Sequence, residues 1–329
     1  MLQLQTKELL AHSKNLLAFS AGGDSTALLH LLLGNNIPFD IAIVDYGVRE
    51  QSKEEVVFAQ ELAKVHGFTC FVKTAPKIEK NFESNARNIR YDFFEELIEQ
   101  YNYDNLVTAH HLGDRFEWFL MQFCKGAGCV ELSGMKSIEK RDKYTLIRPL
   151  LHVDKQDILK YLDEKNIHYF EDETNKDEQY KRNYFRHNFS KPLLKEFKEG
   201  IQKSFSYIDK DVDALIEEVD IKTINQLAYF NSYDKRTNVV YIDRYLKSIG
   251  HMISANEKQE LSQNSSVVVG RKYIVEQDEA YVFITPYVEA KNIDKELKER
   301  MRLLRVPVKL RGYLASDVEA LEFVSLLLE

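Results

Sequence analysis

The chain has 329 residues, of which 44% are hydrophobic and 29% are charged, and its formal net charge is −7. This length is enough for two domains with buried cores, and the negative charge argues against a protein that coats nucleic acid nonspecifically. No export signal or membrane-length apolar stretch is visible. The sparse cysteines fit a reducing compartment, so we expect a cytoplasmic protein without a membrane segment; they are Cys70, Cys124 and Cys129.

The first half of the chain alternates apolar strand patterns with helical patterns, which is typical of a parallel sheet with crossover helices. Strands are predicted at residues 16–19, 39–44, 69–72, 105–108 and, less clearly, 144–147. Helices are predicted at residues 26–33, 53–66, 85–101, 114–123 and 155–164. We therefore expect an α/β domain that binds its ligand at the carboxyl edge of the sheet.

A glycine turn joins the first predicted strand to the first predicted helix; it reads Ser20-Ala21-Gly22-Gly23-Asp24-Ser25. Such a turn directs backbone N–H groups and the positive end of a helix toward one point, which suits a phosphate group. It lacks both the lysine of a Walker loop and the spacing of a dinucleotide site. An ordinary tight turn explains the glycine pair alone, but the two serines and Asp24, a candidate Mg²⁺ ligand, favour nucleotide binding.

Charged side chains open two further predicted helices. Arg87 and Arg90 share a helix face, where they either clamp phosphate oxygens or form surface ion pairs. Asp114 and Glu117 share another face just after the strand at 105–108. These two acids would hold Mg²⁺ or an ammonium group, act as a base, or only complement the helix dipole.

Two histidines, His110 and His111, precede that acid pair. They have no third ligand at a metal-binding spacing, so we interpret them as positioning or packing residues.

Two stretches are rich in basic residues, at 181–198 and 298–311, and the acidic residues Asp172 and Glu173, followed by Thr174 and Asn175, precede the first of them. Arg182 and Arg186 lie in the first stretch. Each stretch is either a solvated surface or a set of contacts to RNA phosphates.

The pattern changes after Pro192, where we place a domain boundary. A charged amphipathic helix is predicted at 193–218, followed by helix signals from residue 221, strands at 267–269, 273–276 and 281–285, and a helix at 315–328. We expect a catalytic domain at 1–192 and a smaller α/β or mainly helical domain at 193–329.

Taken together, these segments resemble the bacterial tRNA(Ile)-lysidine synthetase family of N-type PP-loop ATPases, which have an adenine nucleotide α-hydrolase-like fold. The likeness covers residues 16–192. The matching motifs are the loop at 20–25, Ala86 to Tyr91, Ala109 to Glu117, Gly126-Ala127-Gly128, Arg148-Pro149-Leu150, Asp172 with Asn175, and Arg182-Asn183 with Arg186.

The resemblance implies a ligase that uses ATP, Mg²⁺ and free L-lysine to convert the wobble cytidine of tRNA(Ile) with a CAU anticodon to lysidine. ATP would first adenylate the cytosine and release pyrophosphate, and the lysine amine would then expel AMP. The tRNA would change its specificity from methionine to isoleucine. The second domain would contact tRNA, and a homodimer is left open.

The resemblance also implies roles for individual residues. Asp24, Arg87, Asp114 and Glu117 would be catalytic. ATP would bind at Ser20, Ala21, Gly22, Gly23, Asp24 and Ser25, with Mg²⁺ at Asp24. Lysine or RNA would bind at Asp114, Glu117, Arg182 and Arg186.

The chain departs from the family pattern at three places. Ala21 replaces a glycine, Asp45-Tyr46 replaces Asn-His, and Trp118 replaces a threonine. Because alanine disfavours the left-handed backbone, we expect a negative φ at Ala21. We expect altered packing around the nucleotide base rather than lost activity.

Three other interpretations use the same motifs. A PP-loop thiolase would usually need a cysteine pair or an iron–sulfur cluster, and an amidotransferase of the superfamily would need a glutaminase segment. A non-catalytic RNA-binding module is disfavoured by the presence of Asp24, Asp114 and Glu117.

Overall fold

The structure is a computed structural model that describes residue 4 and residues 6–47, 51–171, 181–290 and 293–328. The chain forms two compact units, residues 1–209 and 210–329. The division lies inside a long helix, Lys191–Leu215, and the predicted boundary at Pro192 lies at the start of that helix. Within the described ranges, no helix is both long and apolar enough to span a bilayer.

In the described residues, the first unit is built on a six-stranded sheet. Its strands are β1 Asn15–Ala18, β2 Phe39–Asp45, β3 Cys70–Thr74, β4 Asn105–Val107, β5 Ile138–Lys140 and β6 Thr145–Ile147. Their order is β3-β2-β1-β4-β6-β5, and all pairs are parallel except β5 with β6. The five predicted strands are confirmed. The edge strand β5 was not predicted, because its three residues are mostly exposed and form no apolar run.

Helices surround this sheet: α1 Lys7–Ala11, α2 Gly23–Gly34, α3 Gln51–His66, α4 Phe82–Tyr101, α5 Leu112–Phe123, α6 Cys129–Ser133, α7 Lys155–Glu164, α8 Lys181–Phe185 and α9 Lys191–Leu215. Adjacent residues of β1 bury into different clusters. Leu17 packs with α2 and α7, whereas Leu16 packs with α4. Alternate burial of this kind is expected for a strand that helices cover on both faces.

The strand order determines which loops meet. Leu17 of β1 is aligned with Val107 of β4 in parallel register. The turn after β1 and the segment after β4 therefore emerge side by side at the carboxyl edge. The chain runs from β1 to β2 on one side and returns to β4 on the other, which is the switch point where open α/β sheets bind ligands.

Helices α8 and α9 are joined by a π-helical turn, Arg186–Ser190. In this turn the N–H of Lys191 donates to the Arg186 carbonyl, five residues back. Pro192 explains the wider turn, because it has no N–H and its ring crowds the carbonyl four residues earlier. The proline is thus accommodated where α8 passes into α9, and α9 itself is kinked at Phe197, with φ −122° and ψ 23°.

The second unit contains a five-stranded antiparallel sheet in the order β7-β8-β11-β10-β9. Its strands are β7 Lys222–Ile224, β8 Leu227–Asn231, β9 Ser266–Val269, β10 Tyr273–Gln277 and β11 Tyr281–Pro286. Its helices are α10 Lys235–Ser248, α11 Ala255–Gln263, α12 Lys295–Leu303, α13 Arg311–Leu314 and α14 Val318–Leu328. Of the two predicted alternatives, this unit is mixed α and β.

The three strands predicted in this unit are confirmed, but the helix signals from residue 221 are wrong at β7 and β8. Residues 227–230 are all buried. Ala228 and Phe230 pack into one core, and Leu227 and Tyr229 pack into the other. A strand covered on both faces has no polar alternation, so its sequence does not distinguish it from a buried helix.

Candidate active site

The glycine turn caps the start of α2 without help from a neighbouring side chain. Gly22 is the N-cap residue, and no side chain in the described part of the chain caps this end. The first N–H groups of α2 therefore remain available to an anion, as they are in known phosphate-binding turns. Ser25 is buried: its Oγ accepts from the Ser20 N–H at 3.2 Å and donates to the Gly22 carbonyl at 3.0 Å. Its hydroxyl stabilises the turn itself.

Ala21 adopts the left-handed backbone conformation, with φ 57°, so the prediction of a negative φ is wrong. The cause is tertiary. The Ala21 carbonyl accepts from the Phe170 N–H at 3.0 Å, and Gly22 forms a parallel bridge with the same residue. The methyl group is fully buried. These contacts offset a conformational cost of about 1–2 kcal/mol for an L-residue in this region.

An Ala21→Gly substitution is expected to change the free energy of unfolding by less than about 1 kcal/mol, because relief of backbone strain opposes the loss of a buried methyl group. Ala42 is the matched control, since it is equally buried but lies within β2. Ala42→Gly should cost about 1–2 kcal/mol. Chemical denaturation of both variants measures the difference, and equal losses would contradict the strain argument.

Asp24 has a partner that the sequence analysis did not identify. The Lys155 Nζ lies 2.6 Å from Asp24 Oδ1. Lys155 is the first residue of α7 and follows the N-cap residue Asp154, which accepts from the Gln156 N–H. A lysine is unfavourable in the first turn of a helix because of the helix dipole. A lysine at this unfavourable position was the feature of the sequence that could have indicated a role outside the helix.

His111 lies between the loop and the acid pair. Its Nδ1 accepts from the Gly113 N–H at 3.0 Å, which makes it the N-cap of α5. In the neutral ring the hydrogen is then on Nε2. This nitrogen lies 3.9 Å from Asp24 Oδ2 and 3.7 Å from Asp114 Oδ2. The structure therefore brings the predicted phosphate loop and the predicted acid pair to the same place.

The acid pair is bonded to the two predicted arginines. Arg182 donates to Asp114 Oδ1 at 2.7 Å and to Glu117 Oε2 at 2.9 Å. Arg186 donates to Glu117 Oε1 at 2.6 Å and to Oε2 at 3.1 Å. The Glu117 side chain is only 2% exposed. The sequence placed these four residues in the site but did not indicate that they pair with each other.

The carboxyl group of Asp114 is held in its ionised form. Burial raises its pKa, but His111, Arg182, His110 and the His111 N–H together hold that pKa well below its ordinary range. Asp114 is therefore a fixed negative charge at neutral pH and a weak proton acceptor.

His110 is neutral at the same pH. Burial lowers its pKa to about 4, and the positive charges of Arg148, Arg182 and Arg87 act in the same direction. Its Nδ1 lies 2.9 Å from the Thr108 hydroxyl. This supports a positioning role for the imidazole.

Arg87 lies on α4, exposed, with its guanidinium 4.8 Å from the centre of the Tyr91 ring. Its positive charge contributes to the lowered pKa of His110. Arg90 lies beside Tyr46, whose hydroxyl donates to the Ala86 carbonyl at 3.0 Å. The departure at Tyr46 thus tethers the end of β2 to α4.

Several other predicted elements have definite places. Gly126 has φ 78° after α5, and Gly128 is the N-cap of α6. Asp172 and Asn175 lie outside the described residues.

In the basic stretches, Lys198 binds Asp157 at 3.0 Å and Arg302 binds Glu299 at 2.7 Å. Part of that basic charge is thus satisfied within the protein.

Comparisons with known proteins identify relatives of this chain. A family model described as a PP-loop domain matches residues 1–193. The tRNA(Ile)-lysidine synthase of Campylobacter jejuni is 42% identical to this chain, over 96% of the chain and 97% of the relative. The protein of the same name from Wolinella succinogenes is 44% identical, over 95% of this chain and 96% of the relative. The one from Helicobacter pylori is 40% identical, over 94% of this chain and 91% of the relative.

One solved structure shares the fold at low sequence identity. It is the U34-tRNA thiolase NcsA of Methanococcus maripaludis with its [4Fe-4S] cluster. The TM-score is 0.54 at 17% identity, over 64% of this chain and 77% of that one. This match supports the fold alone.

Proposed function

This chain belongs to the tRNA(Ile)-lysidine synthase family of PP-loop proteins, and we propose that it ligates free L-lysine to the wobble cytidine of tRNA(Ile) with a CAU anticodon. The observation that carries the proposal is the shared contact of Asp24 and Asp114 with His111 Nε2. In this arrangement the glycine turn, to which we assign phosphate binding, lies next to the Asp114 and Glu117 carboxylates. A reaction that releases pyrophosphate and then admits an amine needs both. A cytoplasmic location is part of this proposal.

In the first proposed step, the C2 oxygen of cytidine attacks the α-phosphorus of ATP, and pyrophosphate leaves. The N–H groups at the start of α2 bind the phosphates. Asp24 fits a Mg²⁺ ligand, because this ion commonly takes one or two carboxylates together with phosphate oxygens. Bound Mg²⁺ would supply charge neutralisation for the leaving group. Lys155, on the same carboxylate of Asp24, adds positive charge there.

In the second step, the ε-amine of lysine attacks C2, the C2–O bond breaks, and AMP leaves. A lysine ammonium has a pKa of ~10.4, so its neutral form costs roughly 4–5 kcal/mol near neutral pH. Asp114 and Glu117 attract this cation beside the activated base. Since Asp114 is a weak proton acceptor in this setting, we assign to it the binding of the ammonium, and we assign to Glu117 the acceptance of the proton that the amine loses.

Lysine binding requires an exchange of partners at the acid pair. Arg182 donates to both carboxylates, and Arg186 donates to Glu117. An ammonium that takes one carboxylate oxygen frees a guanidinium hydrogen for an anion. That anion is the carboxylate of lysine or an RNA phosphate. The pairing seen in the structure thus supports binding of a substrate that carries both charges.

The other interpretations fit less well. The thiolase match concerns the fold, and here Cys70 lies in β3 whereas Cys124 and Cys129 lie at the end of α5 and the start of α6. The relatives that cover nearly the whole chain share the synthase name rather than that of a thiolase or an amidotransferase.

The test is to incubate the protein with ATP, labelled lysine and a tRNA(Ile) transcript with a CAU anticodon. We expect label in the RNA together with one AMP and one pyrophosphate per lysine attached. A transcript with uridine at the wobble position is the control and should stay unlabelled. Mass spectrometry of the digested nucleosides separates lysidine from a thiolated product. An unlabelled CAU transcript would contradict the proposal.

A further inference from the structure

Trp118 is the single tryptophan of the chain and directly follows Glu117 on α5. Residues 112–117 of this helix are buried, whereas Trp118 is 43% exposed. It also lies four residues from Asp114, on the adjoining turn of the same helix face. A large aromatic ring therefore lies on the helix face of Asp114, one turn further along, and reaches solvent.

The indole ring is held in place from one edge. Its Nε1–H donates to the Glu131 carbonyl at 3.1 Å. Its pyrrole part lies against Gly134, where an added Cβ would come within 2.6 Å of Trp118 Cδ1. Gly134 has φ 65°, so both the backbone and this contact require glycine. Because the one polar atom of the ring is bonded, the exposed remainder is apolar and already ordered.

From this geometry we propose that Trp118 is a stacking platform for an unpaired base of the substrate tRNA. The inference rests on the proposed function, which brings a cytidine of an anticodon loop to the neighbouring acid pair. Proteins read such loops by stacking their unpaired bases on aromatic rings. A rigid indole with an apolar face suits this role for any base, because every base has a π-face.

The platform is a feature of this chain rather than of the family pattern, since Trp118 stands where threonine is usual. A threonine side chain cannot stack on a base. The ring therefore adds contact with the RNA beyond the motif residues, and its effect should appear in the affinity for tRNA rather than in either chemical step.

The first test uses Trp118 as its own reporter. Because the chain has one tryptophan, emission excited at the long-wavelength edge of the absorption band, where tyrosine does not absorb, comes from this site alone. We titrate the full-length protein with an anticodon stem-loop RNA of tRNA(Ile), and we expect saturable quenching. Quenching that rises with protein concentration in the absence of RNA would instead indicate that a second copy of the chain covers the ring, and it would overturn the proposal.

The second test compares Trp118→Thr, Trp118→Ala and Trp118→Phe. We expect the KM for tRNA to rise about 10-fold or more in the first two, with the KM values for ATP and lysine and the kcat unchanged. Trp118→Phe keeps a stacking ring and should stay within about threefold of the parent. Phe123 is the matched control, because it is 63% exposed on the same helix; Phe123→Thr should leave the KM for tRNA unchanged.

The outcomes separate this inference from the proposed function. Lysine attachment by the parent enzyme with an unchanged KM for tRNA in Trp118→Thr overturns the platform alone. Failure of the parent enzyme to attach lysine contradicts the proposed function, and saturable quenching by the stem-loop would then still support an RNA-binding platform. Circular dichroism of each variant checks that the fold is intact, and the fluorescence titration of the parent protein decides the question if the smaller substitutions unfold.

Discussion

Replacement of Asp24 by asparagine is expected to reduce adenylation of the tRNA by about 100-fold to 1000-fold, the range seen when one group that stabilises developing charge is removed. The Asp24 carboxylate bonds to Lys155 and faces His111 Nε2. An amide of the same shape keeps the packing but removes the negative charge. We assign to that charge the binding of Mg²⁺, and it also orients the Lys155 side chain. Asp24→Ala should act in the same direction. Pyrophosphate release with the CAU transcript measures this step.

Asp157 provides the matched control for this substitution. It also bonds to a lysine, since Lys198 Nζ lies 3.0 Å from its carboxylate, but it has no place in the proposed chemistry. Asp157→Asn should adenylate the tRNA at the parental rate. Equal pyrophosphate release by Asp24→Asn and the parent would mean that the phosphate loop has been assigned incorrectly.

Replacement of Glu117 should separate the two chemical steps. We expect Glu117→Gln and Glu117→Ala to form the adenylated tRNA at near-parental rates but to transfer lysine about 100-fold more slowly, because the amine loses a carboxylate that holds it beside C2. Single-turnover reactions with prebound ATP and tRNA measure the first step by pyrophosphate release. Addition of labelled lysine then measures the second step.

This substitution also affects folding, so a control must share that effect. Glu117 is buried and accepts hydrogen bonds from Arg182 and Arg186, so losing its charge should cost about 1–3 kcal/mol. Glu139 likewise accepts from two arginines, Arg141 and Arg148. Glu139→Gln should be destabilised but should transfer lysine normally. If Glu117→Gln slowed both steps equally, the acid pair would have no special role with the amine.

The positions of the chemical groups could be predicted because they depend on strand ends. The loop after β1 and the acids after β4 follow clear apolar runs, and adjacent parallel strands bring such segments together. The loop and the acids therefore lie close enough for Asp24 and Asp114 both to approach His111 Nε2. Sequence periodicity was therefore sufficient to predict Asp24 and Asp114 at one edge of the sheet, and the pairing of β1 with β4 brings them close together.

The remaining differences come from tertiary contacts, which a local pattern does not encode. Lys155 reaches Asp24 from a helix 131 residues later in the chain. The φ of Ala21 is fixed by bonds to Phe170, and the strand β8 is buried on both faces. The pairing of the acids with Arg182 belongs to the same class, because it depends on how α8 packs against α5.

The π-helical turn at Arg186–Ser190 determines the direction in which Arg182 points about the helix axis. Each residue of an α-helix advances the chain by about 100°, so one additional residue within a turn rotates the preceding segment by about that angle relative to the segment that follows. Helix α9 is anchored on α5 through Leu194 and Phe205. A chain with one residue fewer in this turn would keep that anchor but would rotate the Arg182 guanidinium away from the Asp114 and Glu117 carboxylates. The additional residue therefore sets the rotation at which Arg182 meets them.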